Sequence, residues 1–271
     1  MELQNAVVII TGGSTGIGRA TALLFAGRGA RAVVCGRRPA PLTETVRLIK
    51  QKGGDALALP TDVRDWAQVR EMVRVVLERF GKVDILVNNA GVAIAKPVVE
   101  TTEEEWDEML DTNLKGVFLC CKAVLPSMVE ACNGVIVNVS STLGKTGIAN
   151  FGAYCASKFG VIGFTQALAD ELKPRGIRVY AVCPGRTSTD MQRQLGGENI
   201  AKLSMPPEKA AEKVMGLVTG EISLPSGSAI VVDEQSVRLA LYEAKVKWRQ
   251  AAKQWLKPIL PILRRIRNLV R

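Results

Sequence analysis

Short β-branched apolar runs alternate with amphipathic stretches along almost the whole chain, and that alternation admits few architectures. The runs are residues 7–10, 32–35, 56–59, 85–87, 135–139, 179–182 and 229–232, and most of them end in Gly, Asn, Ser, Asp or Pro. Runs of this length and composition read as parallel strands buried on both faces. Between them, residues 17–28, 42–52, 66–80, 103–127 and 154–173 carry helical spacing. Strand and helix in strict alternation predict an α/β fold with a doubly wound, seven-stranded parallel sheet and helices on both faces. The predicted domain covers residues 1–235, and residues 236–271 form a separate tail. Such sheets take ligands beyond the carboxyl ends of their strands.

The side chains on offer narrow the chemistry. The 271 residues include no histidine, which excludes Ser-His-Asp and Cys-His hydrolases and leaves no basis for a His-based metal site. No metal is expected. The six cysteines (Cys35, Cys120, Cys121, Cys132, Cys155 and Cys183) form no CxxC pair and mostly lie in apolar runs, so they read as buried, reduced thiols. Proton transfer must therefore come from Tyr, Lys, Cys or a carboxylate. The sequence starts without a basic n-region and long apolar core, and no stretch reaches 18 apolar residues, so a cytoplasmic protein without a spanning helix is expected.

The first strand leads straight into Thr11-Gly12-Gly13-Ser14-Thr15-Gly16-Ile17-Gly18. Glycines there let the backbone approach a pyrophosphate, whose charge is met by free N–H groups at a helix N-terminus. The spacing is TGxxxGIG rather than GxGxxG. From this motif the chain resembles the short-chain dehydrogenase/reductase family, and the resemblance continues at Asp62-Val63, Asn88-Asn89-Ala90-Gly91, Asn113, Ser141, Tyr154-x3-Lys158, and Pro184-Gly185 followed by Thr189. These motifs stand in the family's order and cover residues 6 to about 235.

The resemblance implies a Rossmann-type nicotinamide site. It would be built from Thr11, Gly12, Ser14, Thr15, Gly16, Ile17, Gly18, Asp62, Val63, Asn89, Ala90, Gly91, Tyr154, Lys158, Pro184, Gly185, Thr187 and Thr189. Thr187 stands where the family usually has Ile or Val. Members that use NAD carry an acid at the end of the second strand, whereas this chain reads Cys35-Gly36-Arg37-Arg38. A guanidinium pairs well with a 2′-phosphate, so NADP(H) is the expected cofactor. NAD(H) is the alternative, with Arg37 and Arg38 merely solvating a loop.

Tyr154 and Lys158 are four residues apart, one turn of a helix, on one face. A phenol titrates near pH 10, so using it as a base at neutral pH costs about 4 kcal/mol, and a nearby ammonium is expected to lower that cost. The family resemblance makes Tyr154 the general acid or base and gives Lys158 the task of lowering its pKa and holding the nicotinamide ribose. It also has Ser141 bind the substrate oxygen and Asn113 anchor a relay water. The implied reaction interconverts a carbonyl and a secondary alcohol on a hydrophobic or lipid-like substrate, of 3-oxoacyl or hydroxysteroid type. Residues 190–207, expected to cover that substrate, contain no aromatic side chain. The family also implies a homo-oligomer, a dimer or a tetramer. A non-catalytic NADP-binding scaffold or redox sensor is the alternative class.

The formal charge of +10 sits almost wholly in the tail, where ten cations between Arg238 and Arg271 face Glu243 alone. Apolar residues at Val237, Leu241, Ala244, Trp248, Ala252, Trp255 and Ile259 fall on one helical stripe, which Pro258 and Pro261 interrupt. A basic amphipathic segment with two tryptophans suits an anionic membrane surface, on the inner face of a membrane. Packing on the body or on another subunit, or docking to an acidic carrier protein, are the alternatives. No nucleic-acid-binding module is present.

Overall fold

The computed structural model describes residues 1–233, so the expected tail helix lies outside the described residues. The seven expected strands all form: β1 Val7–Thr11, β2 Arg31–Gly36, β3 Asp55–Pro60, β4 Ile85–Asn88, β5 Gly134–Val139, β6 Ile177–Cys183 and β7 Ala229–Val231. Every pairing is parallel, and the sheet order is β3-β2-β1-β4-β5-β6-β7. The order reverses between β1 and β4. The loops after these two strands run apart there, and the gap between them is the natural ligand crevice.

Alternation along each strand divides the core into two layers. Val8, Ile10 and Val34 face one side, under α1 (Gly16–Ala26), α2 (Pro39–Gln51) and α8 (Pro207–Thr219). Val7, Ile9, Val33 and Cys35 face the other side, under α3 (Trp66–Phe80), α5 (Gly116–Glu130) and α6 (Gly152–Leu172). A buried polar chain crosses the second layer: Asn88 Nδ2 donates to Asn138 Oδ1 at 2.9 Å, and Asn138 Nδ2 donates to Thr165 Oγ1 at 2.9 Å. It ties β4, β5 and α6 in one register.

Three departures from the sequence reading bear on the site. The stretch read as one helix over 103–127 is α4 (Glu103–Leu110), a turn of π-helix over Asp111–Lys115, and then α5. The covering segment folds as α7 (Asp190–Lys202), broken at Gly197, whose φ of 76° is non-helical. Helix α8 was not anticipated, although Ala210, Ala211, Val214 and Leu217 give it a fully buried stripe. Five of the six cysteines are buried, and Cys132 is exposed. No helix among the described residues is long and apolar enough to cross a membrane.

Phe25 in α1 is fully buried in the first layer. Phe25→Ala is expected to cost about 3–5 kcal/mol of unfolding free energy, since the cavity cannot close by moving sheet backbone. Chemical denaturation checks the value, with far-UV circular dichroism showing the fold retained.

Candidate active site

The glycine-rich turn is built by backbone contact. Gly12 and Gly16 have φ of 64° and 54°, in the left-handed region. A Cβ on Gly18 would lie 2.2 Å from Gly12 O and 2.6 Å from Asn89 Nδ2, so α1 starts in contact with the turn that precedes it. Thr11 Oγ1 accepts from the N–H groups of Asn89 (2.9 Å) and Ala90 (3.0 Å), and Asn89 Nδ2 donates to Thr11 O and Gly12 O. Thr15 occupies the N-cap of α1, but its side chain caps nothing there and stands near Asp190, whose carboxyl it helps to hold below its usual range. The first-turn N–H groups of Gly16, Ile17 and Gly18 are therefore left for an anion. This cradle, which a Cβ would fill, fits a pyrophosphate. Ser14 is buried, and its carbonyl accepts from Arg19 at 2.5 Å.

The far wall of the cradle comes from the loop after β6. A Cβ on Gly16 would lie 2.8 Å from Thr189 Cγ2. Thr189 caps α7 by accepting from Gln192 N, and its hydroxyl donates to Thr187 O. Thr187 Oγ1 in turn donates to Gly185 O, so Pro184 to Thr189 forms one self-bonded arch over the crevice.

The four expected catalytic residues converge at the ends of β4 and β5. Ser141, at the N-cap of a short turn after β5, stands close enough to the Tyr154 phenol to pull its pKa down. Lys158 Nζ lies 5.8 Å from the Tyr154 ring centroid and donates to Val139 O at 3.0 Å. A Cβ on Gly91 would lie 3.1 Å from Asn113 Oδ1 and 3.5 Å from Lys158 Nζ, so the β4 loop passes close to both side chains. Ser140 donates to Lys158 O at 2.9 Å, a structural contact that leaves Ser141 as the serine facing the tyrosine.

Burial pushes the Tyr154 phenol up to about 12, against a smaller opposing pull from the Ser141 hydroxyl. Burial also pushes Lys158 down to about 8. The Asn113 carboxamide is largely occupied: Oδ1 accepts from Val92 N at 2.8 Å, while Nδ2 donates to Val92 O at 2.9 Å and to Ser157 Oγ at 3.0 Å. The π-turn gives Asn113 this reach, and it is fully buried there.

At the adenosine end, Arg37 and Arg38 follow β2 directly with no carboxylate in the turn, which fits a phosphorylated ribose. They are drawn apart, however. Arg37 Nη1 lies 3.6 Å from Glu108 Oε1, and Arg38 lies in the field of Asp190. Arg64 grips the Asp62 carboxylate with contacts of 2.6 to 3.0 Å and holds that carboxyl below its usual range, so Asp62 is already engaged. Val63 is buried and packs its Cγ2 2.7 Å from where a Cβ on Gly116 would fall.

The sequence model of the short chain dehydrogenase family matches residues 6–199, most of the chain. The chain belongs to the short-chain dehydrogenase family. A 3-oxoacyl-[acyl-carrier-protein] reductase of Thermotoga maritima is 38% identical over 241 residues, covering 86% of this chain and 98% of that one. One of Synechocystis is 38% identical over 215 residues, covering 77% and 87%. Among solved structures, levodione reductase superposes with a TM-score of 0.81 at 33% identity, covering 86% of this chain and 98% of that one. An actinorhodin polyketide ketoreductase with NADPH does so at 0.79 and 35%, covering 84% and 95%. This short-chain dehydrogenase is thus an oxidoreductase whose crevice suits a nicotinamide dinucleotide.

Some residues of the site went unread. Ser157 joins the Asn113 carboxamide to the catalytic helix, and its hydroxyl donates to Tyr154 O at 2.7 Å. A serine three residues after the tyrosine, on the same helical face, was the available signal. Arg64 lies two residues from Asp62, whereas Glu108 meets Arg37, and Asp190 nears Arg38, from elements that sequence spacing does not bring together.

Lys158 makes stability depend on pH. It titrates near 8 in the fold against an ordinary 10.5, so between those values the unfolded chain holds more protons and stability from this group rises with pH. The stability of the wild type minus that of Lys158→Met is therefore expected to grow from pH 8 to 10. A flat difference in denaturation midpoint over that range would show that the ammonium persists in the fold.

Proposed function

We propose that this short-chain dehydrogenase is an NADP(H)-dependent reductase of 3-oxoacyl thioesters or closely related β-keto chains, working in the cytoplasm in the direction of the alcohol. The observation that carries the reading is the convergence of Ser141, Tyr154 and Lys158 beside the phosphate turn, and the direction is supported by the reductases to which the chain is similar. Burial favours the protonated phenol, the form that gives a proton in reduction. The substrate class is supported by the 3-oxoacyl-[acyl-carrier-protein] reductases and the polyketide ketoreductase to which the chain is similar. A covering segment without aromatic residues suits a thin acyl chain better than a steroid.

The cofactor is held by the first-turn N–H groups of α1, by Thr189 and the Pro184–Gly185 arch, and by Arg37 with Arg38 at the 2′-phosphate. Bound NADPH supplies the hydride. Ser141 orients the substrate carbonyl oxygen and Tyr154 protonates it. Lys158, titrating near neutrality, returns a proton to Tyr154 and holds the nicotinamide ribose. Asn113 fixes the β4 loop against α6 through Val92 and Ser157, and the remaining lone pair of its Oδ1 would accept from the water that refills Lys158.

Tyr154→Phe is expected to lower kcat by about 10²- to 10⁴-fold, the usual range for a removed general acid, while NADPH binding by fluorescence stays as in the wild type. Retained turnover on a panel of 3-oxoacyl thioesters and cyclic ketones would overturn the mechanism. On the same panel kcat/KM is expected to favour NADPH over NADH. Equal values would return the site to NAD.

The chain is further read as a homo-oligomer held on a membrane surface. Half-exposed Trp66, Phe118 and Phe159 stand on the α3, α5 and α6 side, with Lys122 Nζ over the Trp66 and Phe118 rings, and they offer an apolar face for a second copy. The ten cations of residues 238–271 would add an attraction to anionic lipid of about 1 kcal/mol each. The full chain is expected to sediment with phosphatidylserine vesicles, and a form ending at Gln235 to remain in solution. Equal behaviour of the two would assign the tail to packing within the assembly.

A further inference from the structure

We infer that Glu108 sets the strength of the preference for the phosphorylated cofactor, because it competes with the 2′-phosphate for Arg37. The inference rests on the reading that Arg37 meets that phosphate. Arg37 is the first residue past Gly36 at the end of β2, and Glu108 comes from the last turn of α4. Their contact is 3.6 Å, longer than the 2.7–2.9 Å of a charge-assisted hydrogen bond, and both side chains are more than a third exposed. A pair of that kind is weak and exchangeable.

The surroundings give Glu108 little else to do. Arg64, which also feels Glu108, is committed to Asp62 by a two-pronged bond, so it cannot replace Arg37 as the partner of Glu108 without releasing Asp62. Arg38 lies in the field of Asp190 at the start of α7. A dianion arriving at Arg37 therefore has to displace the Glu108 carboxylate and then sit within a few ångströms of it, where like charges repel. An unphosphorylated ribose has no such conflict, because its hydroxyls can donate to the carboxylate while Arg37 stays where it is. Glu108 thus opposes NADPH and favours NADH, and it narrows a gap that the two arginines alone would leave wide.

Titration calorimetry of the full chain with NADPH and with NADH, on the wild type, Glu108→Gln, Arg37→Ala and the double variant, tests this without relying on turnover. Glu108→Gln is expected to bind NADPH about two- to fivefold more tightly, as befits the loss of one exposed charge contact, and NADH no better than the wild type. The gain should vanish when Arg37 is also Ala. Unchanged or weaker NADPH binding in Glu108→Gln would overturn the inference, as would a gain that survives in the double variant. If Arg37→Ala alone binds NADPH like the wild type, the phosphate reading at Arg37 fails and the inference falls with it. Circular dichroism melting curves of each variant establish that the fold is intact.

Discussion

The clamp between the ends of β1 and β4 is the interaction on which the rest of the site depends. Thr11 Oγ1 holds two successive N–H groups of the β4 loop, and the Asn89 carboxamide returns two bonds to the β1 turn. These strands are neighbours at the place where the sheet changes direction, and the loops after them would otherwise diverge. The clamp fixes the width of the crevice from both sides. It holds the phosphate turn against the start of α1, and it sets Gly91 where Asn113 and Lys158 come close to it. Loss of either partner would leave buried backbone groups unpaired, at a cost larger than the net value of one hydrogen bond.

The electrostatics of the catalytic group follow from depth rather than from pairing. Lys158 is almost wholly buried and its ammonium donates to a backbone carbonyl, not to the phenol. In a dry site each group is driven toward its neutral form, so tyrosine and lysine move in opposite directions and their proton affinities separate, Tyr154 rising to about 12 and Lys158 falling to about 8. The separation favours passage of a proton from the Lys158 ammonium to a tyrosinate left by proton donation.

Much of this was legible in the sequence because buried parallel strands leave unbroken apolar runs that helices cannot mimic at that length. All seven strands were found that way, with ends shifted by one or two residues. The glycines at 12, 16 and 18 were legible for a related reason, since left-handed backbone at Gly12 and Gly16 and backbone contact at Gly18 call for glycine. What stayed hidden depends on side chains meeting from distant elements. The spacing of Glu108 gives no hint of Arg37, and the spacing of Asp190 gives none of Thr15. The direction of the Tyr154 and Lys158 shifts was hidden too, because a four-residue interval fixes which face two groups share but not how much water reaches them. Helix α8 was hidden because its buried stripe, Ala210, Ala211, Val214 and Leu217, spans only about two turns and is half alanine.

The π-turn at Asp111–Lys115 is an insertion of one residue into an otherwise continuous helix, and it acts as a change of phase. One residue of an α-helix turns through about 100°. Were the extra residue removed, the hydrogen bonding would become regular and the backbone locally more stable. The apolar stripe of α5 would then point about a quarter-turn away from β4 and β5, or α4 would swing its acids off the crevice. Two surfaces with incompatible angular demands, a core and a ligand rim, thus share one rod, and the irregular turn that carries Asn113 reconciles them.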